Sequence, residues 1–216
     1  GDIFTLVGEF TRSGDFMAQA RFIAETARMP FVASEKPLYL PEPSEPAFEG
    51  VEAVPLLRSP LTEYLAERGI PYAVASRHCC RLNYGVRGKR YFAVGFPNMA
   101  GGYEVRSRYF KGCIPPKSVS LVKANDIPAD ECLVFEGFMD FLSWRKLHPE
   151  VQDDSIILNS LNLLPKLIPT LHAYTMIESL LGNDEAGDRA TKQLIDAGLP
   201  VKDMRACYAP YKDINE

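Results

Sequence analysis

No stretch of this sequence approaches 18 consecutive apolar residues, so no transmembrane helix is expected, and no secretory leader is visible at its start. The five cysteines, Cys79, Cys80, Cys113, Cys132 and Cys207, are odd in number and include no CxxC. That pattern excludes a disulfide framework and a zinc knuckle as readings of the chain, and leaves reduced structural thiols. A soluble cytoplasmic protein is the expectation. Acidic residues are almost missing from one segment: residues 77–123 hold 10 Lys/Arg and one Asp/Glu. Residues 1–76 hold 6 and 11, and residues 124–216 hold 8 and 16, an asymmetry that the net charge of −4 conceals. A segment of net +9 beside one of net −8 points to a polyanion-binding surface next to an acidic, metal-binding centre.

What is present is enough, at 216 residues and 46% hydrophobic, for one sizeable core or two small ones. Residues 1–29 read as two short helices. In the second, Phe16, Ala20, Ile23 and Ala27 recur at helical spacing behind an Asp15 N-cap. Seven prolines between residues 30 and 60 argue for an extended linker over 30–58. Ser59-Pro60 then opens a helix, LTEYLAERG, that Gly69 ends, and a second short helix, PYAVASRHC, follows. From Arg81 the alternation RLNYGV, RYFAVGF and YEVRSRYF, with turns around Gly88 and at NMAGG, predicts a three-stranded antiparallel meander. Arg81, Arg87, Lys89, Arg90, Arg106, Arg108 and Lys111 are interleaved there with Tyr84, Tyr91, Tyr103 and Tyr109. Cations can meet phosphates while rings stack on bases, so Arg77, Arg81, Lys89, Arg90, Arg106, Arg108 and Lys111 form a candidate single-stranded nucleic-acid surface. The plainer alternative is a solvated face over an aromatic core.

Beyond residue 128 strands and helices alternate: CLVFEG, SIILNS, YTMIESLL and KDMRACYA are separated by FLSWRKL, NLLPKLI and EAGDRATKQLIDAG. Such alternation implies a mainly parallel sheet with flanking helices. The chain is organised around CLVFEGFMD, a buried strand that delivers Glu136 into the loop beyond its carboxyl end, where ligands of open α/β sheets collect. Asp184 follows the third strand and Asp213 the fourth, so three acids would crowd one sheet edge. Clustered carboxylates repel unless a cation neutralises them, and oxygen-only ligands suit Mg²⁺. A magnesium site beside a basic groove suits phosphoryl transfer on nucleic acid. Taken singly each acid could be a loop or cap residue, and Asp184 could simply cap the helix after it.

These residues resemble a known family. Glu136-Gly137-Phe138-Met139-Asp140 is similar to the EGxxD motif that opens the Toprim domain of DnaG-type primases. Gly182-Asn183-Asp184-Glu185-Ala186-Gly187 is similar to its DxDxxG, and Lys212-Asp213-Ile214-Asn215-Glu216 to its closing KDxxE. LTEYLAERGI, YFAVGFPN and YEVRSRYFKG resemble the subdomain ahead of Toprim in primase-like proteins of bacterial mobile elements. GDIFTLVGEF resembles the tail of their zinc-binding domain, whose ligands, and zinc, are expected upstream of Gly1. The resemblance implies an α/β chain: a Toprim domain of about four mainly parallel strands over 129–216, preceded by a basic α+β subdomain at 59–128, the linker at 30–58 and a helical tail at 1–29.

The function implied is Mg²⁺- or Mn²⁺-dependent RNA primer synthesis on single-stranded DNA from nucleoside triphosphates, with a replicative helicase as a candidate partner and no membrane. Glu136 would be the general acid/base, with Asp140 supporting it. Glu136, Asp184 and Asp213 would hold the metal, and Lys212 would meet a phosphate. Gly182 stands where the motif has its first aspartate, which should weaken metal affinity; Glu185 and Glu178 are the acids near enough in sequence to substitute. A Toprim nuclease and a catalytically impaired nucleic-acid-binding module are the competing readings.

Overall fold

The computed structural model describes residues 3–27, 48–125, 129–150 and 153–216. The chain divides into two units, residues 1–45 and 46–216. The first contains helices α1 (Ile3–Thr11) and α2 (Phe16–Thr26). Asp15 caps α2 through an N–H of Ala18 at 3.4 Å, and the rings of Phe10 and Phe22 lie 5.8 Å apart.

In the second unit the stretch expected as linker contains a strand, β1 (Phe48–Pro55); residues 30–47 lie outside the described residues. β1 pairs antiparallel with the later β2, Phe48 opposite Val86 and Pro55 opposite Cys80, with a bulge between Glu49 and Glu52. It is an edge strand, a place that tolerates the glutamates and terminal proline that made it read as linker. Helix α3 (Pro60–Glu67) starts on Pro60 and ends where Gly69 takes φ +72°, and α4 (Tyr72–His78) follows. β2 (Cys80–Val86) and β3 (Lys89–Pro97) form a hairpin whose two-residue turn, Arg87-Gly88, has positive φ at both positions, as a type I′ turn needs. β4 (Tyr103–Arg106) and β5 (Lys111–Ile114) complete a five-stranded antiparallel sheet in sequential order. The three-stranded meander is therefore enlarged: YEVRSRYF breaks at Ser107, and a strand flanks each end.

The second sheet is also five-stranded, in the order β10-β9-β7-β8-β6. β6 (Ser120–Val122) is an antiparallel edge strand too short to show periodicity. β7 (Glu131–Phe135), β8 (Asp154–Ile157), β9 (Met176–Leu180) and β10 (Val201–Asp203) are parallel and alternate with α5 (Phe138–Leu147), α6 (Leu164–Leu171) and α7 (Glu185–Asp196). Of the expected strand KDMRACYA only the start is extended; Arg205–Tyr208 is a 3-10 turn. From β7 the chain crosses to β8 on one side and then to β9 on the other, so its order reverses at β7.

Alternate residues of β7 supply two cores. Leu133 and Phe135 pack with α5, with Leu61 and Leu65 of α3, and with Val94 and Phe96 of β3. Cys132 and Val134 pack with α6 and α7. The first core joins the antiparallel sheet to the parallel one and thereby fixes their faces relative to each other. Among the described residues no helix is long and apolar enough to cross a membrane.

Candidate active site

Glu136 leaves the carboxyl end of central β7, at the reversal of strand order where an α/β sheet opens a crevice. Its carbonyl accepts the N–H of Asn159, which itself sits at φ +60° after β8 and donates its side-chain amide to Ser118 O (2.8 Å) and Ser120 Oγ (2.9 Å). One turn into α5, Asp140 turns back toward the same loop. Burial, then Asp213, then Glu136 push its pKa up to about 7, against the N–H groups of Gly137 and Asn215, which pull it down. Glu136, Asp140 and Asp213 are thus electrostatic neighbours, although they come from two distant segments of chain.

A raised folded-state pKa carries a stability consequence. Unfolded, Asp140 would ionise near pH 4; folded, it holds its proton to about 7. Between those values the native state binds the extra proton, so stability falls as pH rises, and the cost is complete above pH 7. Asp140→Asn is therefore expected to melt above wild type at pH 7.5 and together with it near pH 4, in paired thermal scans. A gap that persists at pH 4 would mean that the asparagine acts through packing.

Asp184 stands apart from this trio. Its Oδ1 accepts the N–H groups of Ala186 (3.0 Å) and Gly187 (2.9 Å) as N-cap of α7, and Lys212 Nζ lies 3.0 Å from its Oδ2. The Gly187 hydrogen bond, then Lys212, lower its pKa. Gly187 is required at this cap, because a Cβ there would meet Gly182 O at 1.9 Å. Neither acid considered as a substitute for a residue-182 carboxylate joins the cluster: Glu178 is tied to Lys202 at 2.7 Å across β9 and β10, and Glu185 points outward to Arg189 at 3.6 Å.

Among the described residues no three Asp, Glu, His or Cys side chains converge to form a ready-made metal cage. Mg²⁺ does not demand one; it usually takes one or two carboxylates, with water and substrate phosphates completing its shell. The donor set fits that habit: it is oxygen only, and the Asp140 carboxyl is held up to about 7 by burial first and by Asp213 and Glu136 after it.

The basic set divides by strand parity. Lys111, Arg106, Val94 and Arg81 stand opposite one another across four strands, on the face that also carries Phe92 and Phe96. Arg106 and Lys111 line a cavity of about 190 Å³ with Glu136, Asp140, Asp213 and Lys212. Arg81 lies farther out, its guanidinium 4.7 Å from the Phe92 ring and its Nε donating to Asn83. Arg90 shares this parity, whereas Lys89 is on the other, with Tyr84, Tyr91 and Tyr103. Strand parity therefore sets Arg81, Arg106 and Lys111 apart from Tyr84, Tyr91 and Tyr103, which lie on the opposite face, whereas Arg90 and Arg108 line a second cavity together with Tyr84, Tyr91 and Tyr109. Arg108 is paired with Glu67 at 2.6 Å, and Arg77 is exposed on α4 and is not one of the residues lining the cavity with Arg106 and Lys111.

Sequence reasoning missed three residues that assemble the site. Asn183 donates its N–H to Lys212 O (2.7 Å) and its amide to Tyr211 O (2.8 Å), clamping the second motif to the third. Asn215 donates to Ser143 Oγ (2.8 Å) and Arg68 O (2.9 Å), and accepts from the Arg68 guanidinium. Arg68, just beyond α3, thereby joins the cavity wall. An asparagine beside a motif acid was visible in each case, but its partners lie up to 147 residues away in sequence.

Two family models match the chain: a domain of unknown function, DUF8464, over residues 51–115, and Toprim-like over 133–216. No curated protein matches it. Among solved structures, the primase fragment of the bacteriophage T7 primase-helicase protein is similar at 17% identity and TM-score 0.51, covering 77% of this chain and 70% of that one. The Aquifex aeolicus primase (zinc-binding and RNA polymerase domains) is similar at 15% identity and TM-score 0.52, covering 100% of this chain and 66% of that one. A third structure holds T7 primase domains of two gp4 subunits bound to an RNA/DNA hybrid and dTTP, at 16% identity and TM-score 0.51, covering 77% of this chain and 85% of that one. At these identities the likeness establishes a shared fold.

Proposed function

We propose that this chain, a DnaG-type, Toprim-domain protein with the primase fold, is the catalytic part of a primase-like nucleotidyltransferase that makes RNA primers on single-stranded DNA, in replication or mobile-element transfer in the cytoplasm. The observation that carries this reading is the one cavity in which Glu136, Asp140 and Asp213 face Arg106 and Lys111. Glu136 and Asp213 would hold Mg²⁺, or Mn²⁺, which supplies charge stabilisation to the reacting phosphate. Glu136 takes the proton of the attacking 3′-hydroxyl. That oxygen bonds to the α-phosphorus of a nucleoside triphosphate as the bond to the β-phosphate oxygen breaks and pyrophosphate leaves. Asp140 supports Glu136 from the next helical turn, Arg106 and Lys111 hold strand phosphates, and Lys212 meets a phosphate of the incoming nucleotide. A replicative helicase is the natural partner for a primer synthase.

Incorporation of labelled ribonucleotides on single-stranded DNA with Mg²⁺ tests the proposal. Strand cutting under the same conditions would replace it with a nuclease. The engaged state of Asp184 favours one other reading, a binding module without catalysis; it wins if the complete protein does neither reaction and Gly182→Asp creates activity.

Strand parity makes a sharper test of the template surface. Arg106→Ala with Lys111→Ala is expected to weaken single-stranded DNA binding and to reduce the log–log salt slope by about 1.4, from roughly 0.7 per lost phosphate contact. Arg108→Ala, already paired with Glu67, is expected to leave that slope near its wild-type value. Titrations between 50 and 200 mM salt would read both, and an unchanged slope in the double variant would clear Arg106 and Lys111 of phosphate contact.

A further inference from the structure

Between Glu136 and Asp184 the chain carries no side chain at residue 182, and one placed there would sit close against both acids, with Glu136 giving way by a few tenths of an ångström. A Cβ at Gly182 would stand 3.3 Å from Glu136 Oε2 and 3.6 Å from Asp184 Oδ1. Without a carboxylate there, Asp184 has Oδ1 engaged by two helix N–H groups and Oδ2 held by the Lys212 ammonium. A divalent ion arriving at Asp184 would find one oxygen, already shared with a cation, and would stay largely hydrated and weakly held. Lys212 is also well placed from the main chain: its carbonyl accepts the Asn183 N–H at 2.7 Å, and its N–H donates to Glu216 at 2.7 Å.

We propose that Lys212 is the built-in second cation of this site, and that the chain binds one divalent ion, on the Glu136 and Asp213 side. The inference rests on the metal site proposed above and deepens it. An ammonium has three donors. With one on Asp184, the others can reach substrate phosphate oxygens, the bridging work that a second metal does in two-metal phosphoryl transfer. Its side chain is 64% exposed, open to such a ligand.

Counting bound Mn²⁺ by electron paramagnetic resonance on the full chain tests this without reference to activity. Wild type and Lys212→Arg are expected to bind one ion, and Gly182→Asp with Lys212→Ala two. Two ions on wild type, or one on a folded double variant, would overturn the role of Lys212 while leaving the proposed function standing. No ion on wild type would overturn both. Should the double variant fail to fold, Lys212→Ala alone decides, since it alters an exposed side chain. Removing a positive charge near Glu136 and Asp213 is expected to tighten the single Mn²⁺ about fivefold, and an unchanged affinity would refute the proposal.

Discussion

Glu136→Gln is expected to lower primer synthesis by about 10³-fold with little change in melting temperature. Glutamine keeps the size and packing of the side chain, and the backbone that carries it is fixed independently, through the Asn159 N–H to the Glu136 carbonyl at 3.0 Å and through buried β7. What disappears is the negative charge, and with it the two roles proposed for Glu136: proton acceptance from the attacking hydroxyl and ligation of the divalent ion. Losing ligation alone would be rescued in part by raising Mg²⁺, whereas losing the base would not. Ribonucleotide incorporation measured across a Mg²⁺ series therefore separates the two. The expected result is a rate that stays depressed at saturation. A variant within tenfold of wild type at high Mg²⁺ would remove Glu136 from the proton transfer.

How much of this was legible in the sequence follows from which interactions are local. β7 read correctly because a parallel strand buried on both faces is a continuous apolar run, and the acid that ends the run marks its exit. Asp184 carried two readings in the sequence, cap and ligand. The cap is local, its partners two and three residues on, while the Lys212 contact that completes its environment spans 28 residues. Arg108 looked like every other arginine of its segment because the glutamate that engages it lies 41 residues earlier. Tyr84 was grouped with Arg81 for a different reason. Counting rings and cations along the chain ignores that successive strand residues point to opposite faces, so Tyr84 and Arg81, three apart, cannot share a surface. β1 was hidden by composition, since a Pro- and Glu-rich edge strand borrows its partner's alternation and shows little of its own.

Phe96→Ala is expected to destabilise the 46–216 unit by about 3–5 kcal/mol, the range for truncating a fully buried aromatic residue. Phe96 is 1% exposed, on the face of β3 that meets the parallel sheet. Its ring stacks on Phe138 at 5.1 Å and 8°, and meets the edge of Phe141 at 5.8 Å. Phe141 in turn packs against Phe135 of β7 at 5.7 Å, so one cluster ties the antiparallel sheet to α5 and the central strand. Against a typical domain stability of about 5–15 kcal/mol this is a large fraction. At about 2–4 °C per kcal/mol for a unit of this size, it should appear as a melting temperature lowered by about 10 °C. Phe138 also lies inside the EGFMD segment, between Glu136 and Asp140, so the cavity left by Phe96 opens directly beneath the acidic loop. Catalysis should therefore fall by more than the folded fraction accounts for, and Phe96→Leu, which refills much of the volume, should recover most of both losses. Tyr109→Ala is the control, because that ring is 92% exposed and its truncation leaves no hole. Urea titrations of the three variants give the comparison. A cost under about 1 kcal/mol for Phe96→Ala would mean that the two sheets do not share this core, and that the basic face is not held in register with the acids it is proposed to serve.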